Sequence, residues 1–114
     1  MDSDALEKLR HEMRRGAIVL AVLGQLRQEH YGYSLRKALL ANGIAIEEGT
    51  LYPLVRRLEA QGLLTSEWRA EDKRRKRFYR LSDYGTEVFG QLLNDWSELT
   101  GSVDKLVRTD KPCN

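Results

Sequence analysis

Thr50-Leu51-Tyr52-Pro53-Leu54-Val55-Arg56-Arg57-Leu58-Glu59-Ala60-Gln61-Gly62 is the stretch on which the fold turns. Leu51, Leu54, Val55 and Leu58 recur at three and four residues, which lines one face of a helix. Gly62 supplies the stop, because glycine enters the left-handed conformation that ends a helix at little cost. Pro53 constrains the start. With Thr50 as N-cap the proline falls in the first turn, where its missing N–H is not needed; a helix starting at Glu47 should be kinked by it. Upstream, Tyr31-Gly32-Tyr33 opens a shorter run over Ser34 to Leu40, with Leu35, Ala38 and Leu39 on one face and Asn42-Gly43 as its stop. Two helices joined through the brief apolar link Ile44-Ala45-Ile46 have the layout of a helix-turn-helix.

Outward from this pair the chain stays legible. Leu6, Leu9, Met13, Ala17, Leu20 and Leu23 form one face of a first helix from Asp4 to about Leu26, apolar all round after Gly16 and therefore buried there. After Gly62 the pattern changes to strands. Leu63 to Trp68 and Phe78 to Leu81 flank the polar run Arg69 to Arg77, a hairpin with a charged tip. Ser82 is the expected N-cap of a last long helix, with Asp83 at the positive end of its dipole. The expected architecture is mostly α with a small β-hairpin (α+β), a winged helix-turn-helix followed by one long helix. Residues 1–81 form the first region, 82–107 the C-terminal helix and 108–114 a disordered tail.

At 114 residues, 41% hydrophobic and 32% charged, the chain is long enough for one domain with a real core and too mixed in charge for a disordered polyelectrolyte. Its one cysteine, Cys113, excludes disulfides within the chain and cysteine-ligated metal clusters. No apolar run approaches the roughly 20 residues of a membrane helix, and the acidic start lacks the layout of a signal peptide. A cytoplasmic location is expected.

Phe89, Leu92, Trp96, Leu99, Val103 and Leu106 are spaced alternately by three and four, the 3.5-residue period of a coiled coil. At about 1.5 Å per residue the stripe is roughly 26 Å long. A small domain has little left to cover it, so the six residues are expected at a homodimer interface. Trp96, at the centre, is suited to fill the dimer core or to floor a ligand cavity.

A net charge of +2 says nothing about partners, but its distribution does. Arg69, Lys73, Arg74, Arg75, Lys76, Arg77 and Arg80 stand against Glu71 and Asp72, a local +5, while residues 82–107 carry −4. Consecutive cations repel one another, and phosphates relieve that repulsion with release of counterions, so double-stranded DNA is the expected partner. The helix after Ile46 would enter the major groove, with Thr50, Tyr52, Pro53 and Arg56 reaching bases or phosphates, and Arg75, Lys76 and Arg77 gripping from the wing. Tyr52 has a packing role open to it as well, and Arg57 has Glu47, Glu48 and Glu59 as candidate ion-pair partners.

Taken in order, Tyr31-Gly32-Tyr33, Glu48-Gly49-Thr50-Leu51-Tyr52-Pro53, Arg57-Leu58-Glu59 with Gly62-Leu63-Leu64, Trp68, Arg75 to Ser82 with Gly85, and Trp96 resemble the PadR family of winged-helix transcriptional regulators. The likeness runs from about Arg14 to Val107 and is to the short members with one C-terminal helix. It implies a dimer that represses transcription by binding an operator with inverted half-sites. In some short members a small aromatic or cationic molecule near the dimer helix weakens DNA binding, which makes Trp96 a candidate effector contact. Family wings are usually richer in Gly and Pro than Glu71-Asp72-Lys73-Arg74.

Catalysis finds no support in the motifs. His11 and His30 lie in no metal-ligand spacing, and no Ser, Cys or Lys sits in a nucleophile motif or phosphate loop, so neither enzyme activity nor a cofactor is expected. His30, in the polar break after the first helix, reads as a surface residue. The alternative to a DNA-binding regulator is a winged-helix protein-interaction module without specific DNA binding.

Overall fold

Residues 3–108 are described by the computed structural model. Four helices and three strands follow in the order α1 (Ser3–Gln25), β1 (His30–Tyr31), α2 (Gly32–Ala41), α3 (Glu48–Ala60), β2 (Leu64–Glu71), β3 (Arg74–Leu81) and α4 (Asp83–Arg108). The architecture is the expected one, mostly helical with a small antiparallel sheet. That sheet has three strands in the order β1-β3-β2, one more than the hairpin read from sequence. The extra strand pairs His30 with Tyr79 and Tyr31 with Phe78. Two residues are too short for a period-2 signal, so β1 has no signature before the hairpin is there to pair with it.

The core forms where the apolar faces of three helices meet. Val22, Leu23 and Leu26 of α1 pack with Leu35 and Leu39 of α2 and with Leu51, Leu54, Val55 and Leu58 of α3. Leu64 of β2 and Phe89 of α4 close the cluster. Both inner helices end as their glycines foretell. Gly43 (φ 88°) and Gly62 (φ 82°) are left-handed, and the residues after them donate back to Leu39 and Leu58 at 2.9 and 3.0 Å. This is the Schellman closure that satisfies the last carbonyls.

The start of α3 differs from expectation. Glu47, not Thr50, is the N-cap; the Thr50 and Leu51 amides both donate to its carbonyl, at 3.0 and 2.9 Å. Pro53 thus lies inside the helix, which nevertheless continues unbroken to Ala60. The carbonyl that loses its donor is that of Gly49, an exposed residue with no side chain to crowd the proline ring, so water can satisfy it.

The wing turn needs neither Gly nor Pro. Asp72 (φ 52°) and Lys73 (φ 65°) form a two-residue loop between the paired residues Glu71 and Arg74, the positive-φ pattern of a type I′ turn. Asp tolerates that region through local hydrogen bonding; Lys pays for it.

Ser82 caps α4 as expected. Its hydroxyl accepts the Gly85 amide at 2.9 Å and donates to the Gly62 carbonyl at 2.6 Å. The first turns of α4 therefore lie against the body. Phe89, expected at the head of the dimer seam, is buried in the protomer's own core beside Gly24, because the capped N-terminus carries that part of α4 over α1. Arg108, assigned from sequence to the tail, is the last residue of α4; the rest of the tail expected over 108–114 lies outside the described residues.

Candidate nucleic-acid interface

Helix α3 buries Leu51, Leu54, Val55 and Leu58, so at 100° per residue Pro53 and Arg56 project most directly outward. Thr50 and Arg57 flank them on the side of α1, and Tyr52 and Glu59 on the side of the sheet. Thr50 and Pro53 line a wide cavity with His11, Arg14 and Arg15 of α1. Tyr52 and Arg56 line a second one with Lys76 and Arg77. The expected reading residues are all on the open half of α3, but they divide between two hollows. Tyr52 is half-buried, and its ring lies where a side chain on Gly32 would stand, 2.8 Å from the position of such a Cβ. The glycine of Tyr31-Gly32-Tyr33 is thus what lets the start of α2 close over α3.

Arg36 of α2 reaches the first turn of α3 and donates to Glu48 at 2.9 Å. Glu59 is taken by Arg77. Arg57, for which Glu47, Glu48 and Glu59 were candidate partners, is exposed and makes no ion pair among the described residues.

The seven cations of the hairpin are not equivalent. Arg69 donates to Glu29 at 2.7 Å through one nitrogen, again to Glu29 through the other, and to Glu67 at 2.9 Å. These bonds raise the Arg69 pKa and lower those of Glu29 and Glu67. The Arg69 guanidinium also covers the Phe78 ring at 4.6 Å, and Phe78 meets Tyr31 edge to face at 5.4 Å. Arg69 and Glu29 thereby clamp the loop before β1 onto the back of the sheet.

Arg77, expected as a free phosphate contact, is also engaged. Its Nη2 lies 2.9 Å from Glu59 Oε1 and 3.2 Å from Oε2, and its Nε donates to Ser66 Oγ at 2.9 Å. Ser66 in turn donates to Glu59. The triad ties the sheet to α3 and fixes the angle between wing and helix. Lys76 lies 4.3 Å from the Tyr31 ring centre and 3.3 Å from Glu71. Although partial burial opposes it, Glu71 and Tyr31 hold the Lys76 ammonium pKa above its ordinary value. Arg75 covers Trp68 at 4.9 Å. Lys73, Arg74 and Arg75 make no ion pair among the described residues, so the exposed positive end of the wing is its tip. The sequence pointed to the basic run; the acids that claim Arg69 and Arg77, up to 40 residues away, left no local signal.

His30 corrects another expectation, since it is half-buried. Nδ1 is 2.9 Å from Ser34 Oγ, and Nε2 is 3.1 Å from the Gln25 amide nitrogen. A neutral ring protonated on Nδ1 satisfies both contacts, and burial lowers its pKa.

On α4 the stripe after Phe89 is open. Leu92, Trp96, Leu99, Val103 and Leu106 are all exposed, Trp96 by 40% and Leu99 by 60%. Leu6, Leu9 and Met13 in the first half of α1 are exposed as well, Met13 by 71%. The molecule measures 65 × 34 × 23 Å, and no described helix is long and apolar enough to cross a membrane.

Comparison with known proteins agrees with this geometry. The profile of the Transcriptional regulator PadR-like family matches residues 19–91. A transcriptional regulator of Mycobacterium tuberculosis is 41% identical over 93 residues, which is 81% of this chain and 87% of that protein. A crystal structure of a PadR family transcriptional regulator from Eggerthella lenta superposes with a TM-score of 0.87 at 44% identity, covering 95% of this chain and 96% of the other. A PadR-like transcription factor from Bacteroides fragilis gives a TM-score of 0.74 at 28% identity, over 87% of this chain and 98% of its own.

Proposed function

Since this chain belongs to the PadR-like family of transcriptional regulators, we propose that it is a homodimeric repressor of an operator with inverted half-sites. A PadR-like regulator works by binding DNA and is not an enzyme. The finer reading rests on one observation, the exposed apolar stripe of α4 from Leu92 to Leu106 beside the exposed Leu6, Leu9 and Met13 of α1. An apolar patch of that length on a 114-residue chain favours association, and a second copy buries it isologously. Two-fold pairing presents two α3 helices and two wings to successive turns of a duplex.

In this arrangement Arg56 and Pro53 reach the groove, with Thr50 and Tyr52 beside them. Lys73, Arg74 and Arg75 hold phosphates from the wing tip, Lys76 stands at the cleft edge, and Arg77 orients the wing through Glu59 instead of gripping DNA. Two Trp96 side chains, brought together across the seam, offer stacking faces to a small aromatic effector that relieves repression.

The test is selection and sequencing of bound genomic fragments, followed by salt titration on the fragment recovered. The expected fragments contain inverted half-sites, and affinity falls by about 10³ to 10⁵ between 50 and 200 mM salt if roughly 6 to 10 phosphates are contacted. Arg56→Ala relaxes sequence preference, whereas Lys73→Ala with Arg75→Ala weakens all duplexes alike. Failure to bind any fragment at low salt overturns the DNA reading in favour of a protein-interaction module.

A further inference from the structure

We propose that the cleft between the start of α2, the outer side of α3 and the wing sheet binds a small aromatic anion. The cleft has a volume of about 340 Å³, at the lower end of the range for ligand sites and sufficient for one or two fused rings. Four of the chain's five tyrosines, Tyr31, Tyr33, Tyr52 and Tyr79, line it together with Trp68. Leu35 and Val55, both buried, supply an apolar floor. Tyr33 and Trp68 are 56% and 52% exposed, so two large rings stand open to solvent at the rim.

Charge selects the sign of the ligand. Arg56, Lys76 and Arg77 line the cleft, and no Asp or Glu does. Arg56 makes no ion pair among the described residues, and it is the cation left to meet a carboxylate or sulfonate. Arg77 is held by Glu59, yet its guanidinium lies 5.6 Å from the ring centres of both Trp68 and Tyr79, which braces those rings. Burial keeps the Tyr79 hydroxyl a neutral donor by raising its pKa.

A duplex backbone does not account for these walls. Phosphates call for cations and donors, and the bases of a duplex stay stacked on one another, out of reach of aromatic side chains unless they are flipped out. A free planar ring uses the tyrosines and tryptophan that a phosphate leaves unused. An aromatic cation is excluded by the three basic residues. The site is also separate from the α4 stripe on which Trp96 lies.

Binding here requires nothing of the DNA reading. Its consequence does rest on that reading: a ligand on Arg56 and Lys76 occupies residues assigned to the operator and competes with it directly.

The experiment is a titration of the ¹⁵N-labelled full chain with 2-naphthoate, following the two tryptophan indole N–H signals and the Tyr33 amide. Saturable shifts at Trp68 and Tyr33, with little movement at Trp96, are expected. Arg56→Ala weakens the isotherm about tenfold or more, and 2-naphthylmethylamine and inorganic phosphate bind at least about tenfold more weakly. No saturable shift at Trp68 up to about 5 mM naphthoate, shifts centred on Trp96, or equal binding of phosphate overturns the proposal. In parallel, naphthoate raises the apparent Kd for the selected DNA fragment in proportion to its concentration. Saturation at Trp68 with DNA affinity unchanged supports the ligand site and counts against the placement of DNA over Arg56.

Discussion

Gly85→Ala and Gly90→Ala, the same exchange five residues apart in α4, should move stability in opposite directions. An added Cβ on Gly85 would lie 1.9 Å from the Leu63 carbonyl oxygen and 2.9 Å from its carbon. Both are backbone atoms, so no rotamer change relieves the overlap. The carbonyl cannot retreat cheaply, since it accepts the Ser82 amide at 3.0 Å. Moving α4 instead breaks the cap at which Ser82 Oγ accepts the Gly85 amide. Loss of a cap costs about 1 kcal/mol, loss of a backbone hydrogen bond about 1 kcal/mol, and residual overpacking about 1 to 3 kcal/mol. The better helix propensity of alanine returns about 1 kcal/mol, which leaves Gly85→Ala some 2 to 4 kcal/mol less stable. Gly90 has nothing within 4 Å of an added Cβ, and it lies off the seam line through Phe89 and Leu92. Only the propensity gain remains, about 0.5 to 1 kcal/mol in favour of alanine. Urea unfolding at one fixed chain concentration separates the two, fixed because association couples stability to concentration. If Gly85→Ala falls within about 1 kcal/mol of Gly90→Ala, the docking of α4 against the α3–β2 turn is wrong.

Replacing Asp72-Lys73 by Asn-Gly gives the two positive-φ positions the residues a type I′ turn favours; it removes one charge of each sign and should raise unfolding stability by about 1 kcal/mol in the same urea assay. Leu99→Asp puts a carboxylate on the exposed stripe without touching the core, so sedimentation should report half the dimer mass with an unchanged circular dichroism spectrum; an unchanged mass places the interface elsewhere. For His30, burial holds the folded pKa below the ordinary 6.5, so its contribution is complete above that value and is lost as pH falls through the lower folded value. His30→Gln should flatten that part of the stability profile, and an NMR midpoint at or above 6.5 would contradict the burial.

What could be read beforehand divides along local and non-local lines. The α2 and α3 faces, their glycine stops and the Ser82 cap rest on residues within a turn of one another, and each stands where the spacing puts it. The two-residue β1 exists only through its partners on β3. The α3 start was misjudged by three residues because Pro53 was taken to dictate the first turn, when the exposed, side-chain-free Gly49 made a later position tolerable. Phe89 fits the seven-residue pattern as well as Leu92 does; only the contact with Gly24, 65 residues earlier, assigns it to the core.

The same distinction reorganises the basic run. Read as a list of charges, Arg69 to Arg80 is a uniform surface for phosphates. In the fold, one cation clamps the β1 loop through Glu29 and another joins the sheet to α3 through Glu59 and Ser66. Half-exposed ion pairs contribute little stability individually, so the significance of the Glu59–Arg77–Ser66 triad is geometric. It joins the element that reads bases to the element that grips the backbone, so that the two approach a duplex as one body. Arg77 therefore affects binding by holding the tip cations Lys73, Arg74 and Arg75 at a fixed angle to Arg56. A positive charge supplied there by Lys, without the planar fork that engages Glu59 and Ser66 together, would preserve the electrostatics of the wing while loosening that angle.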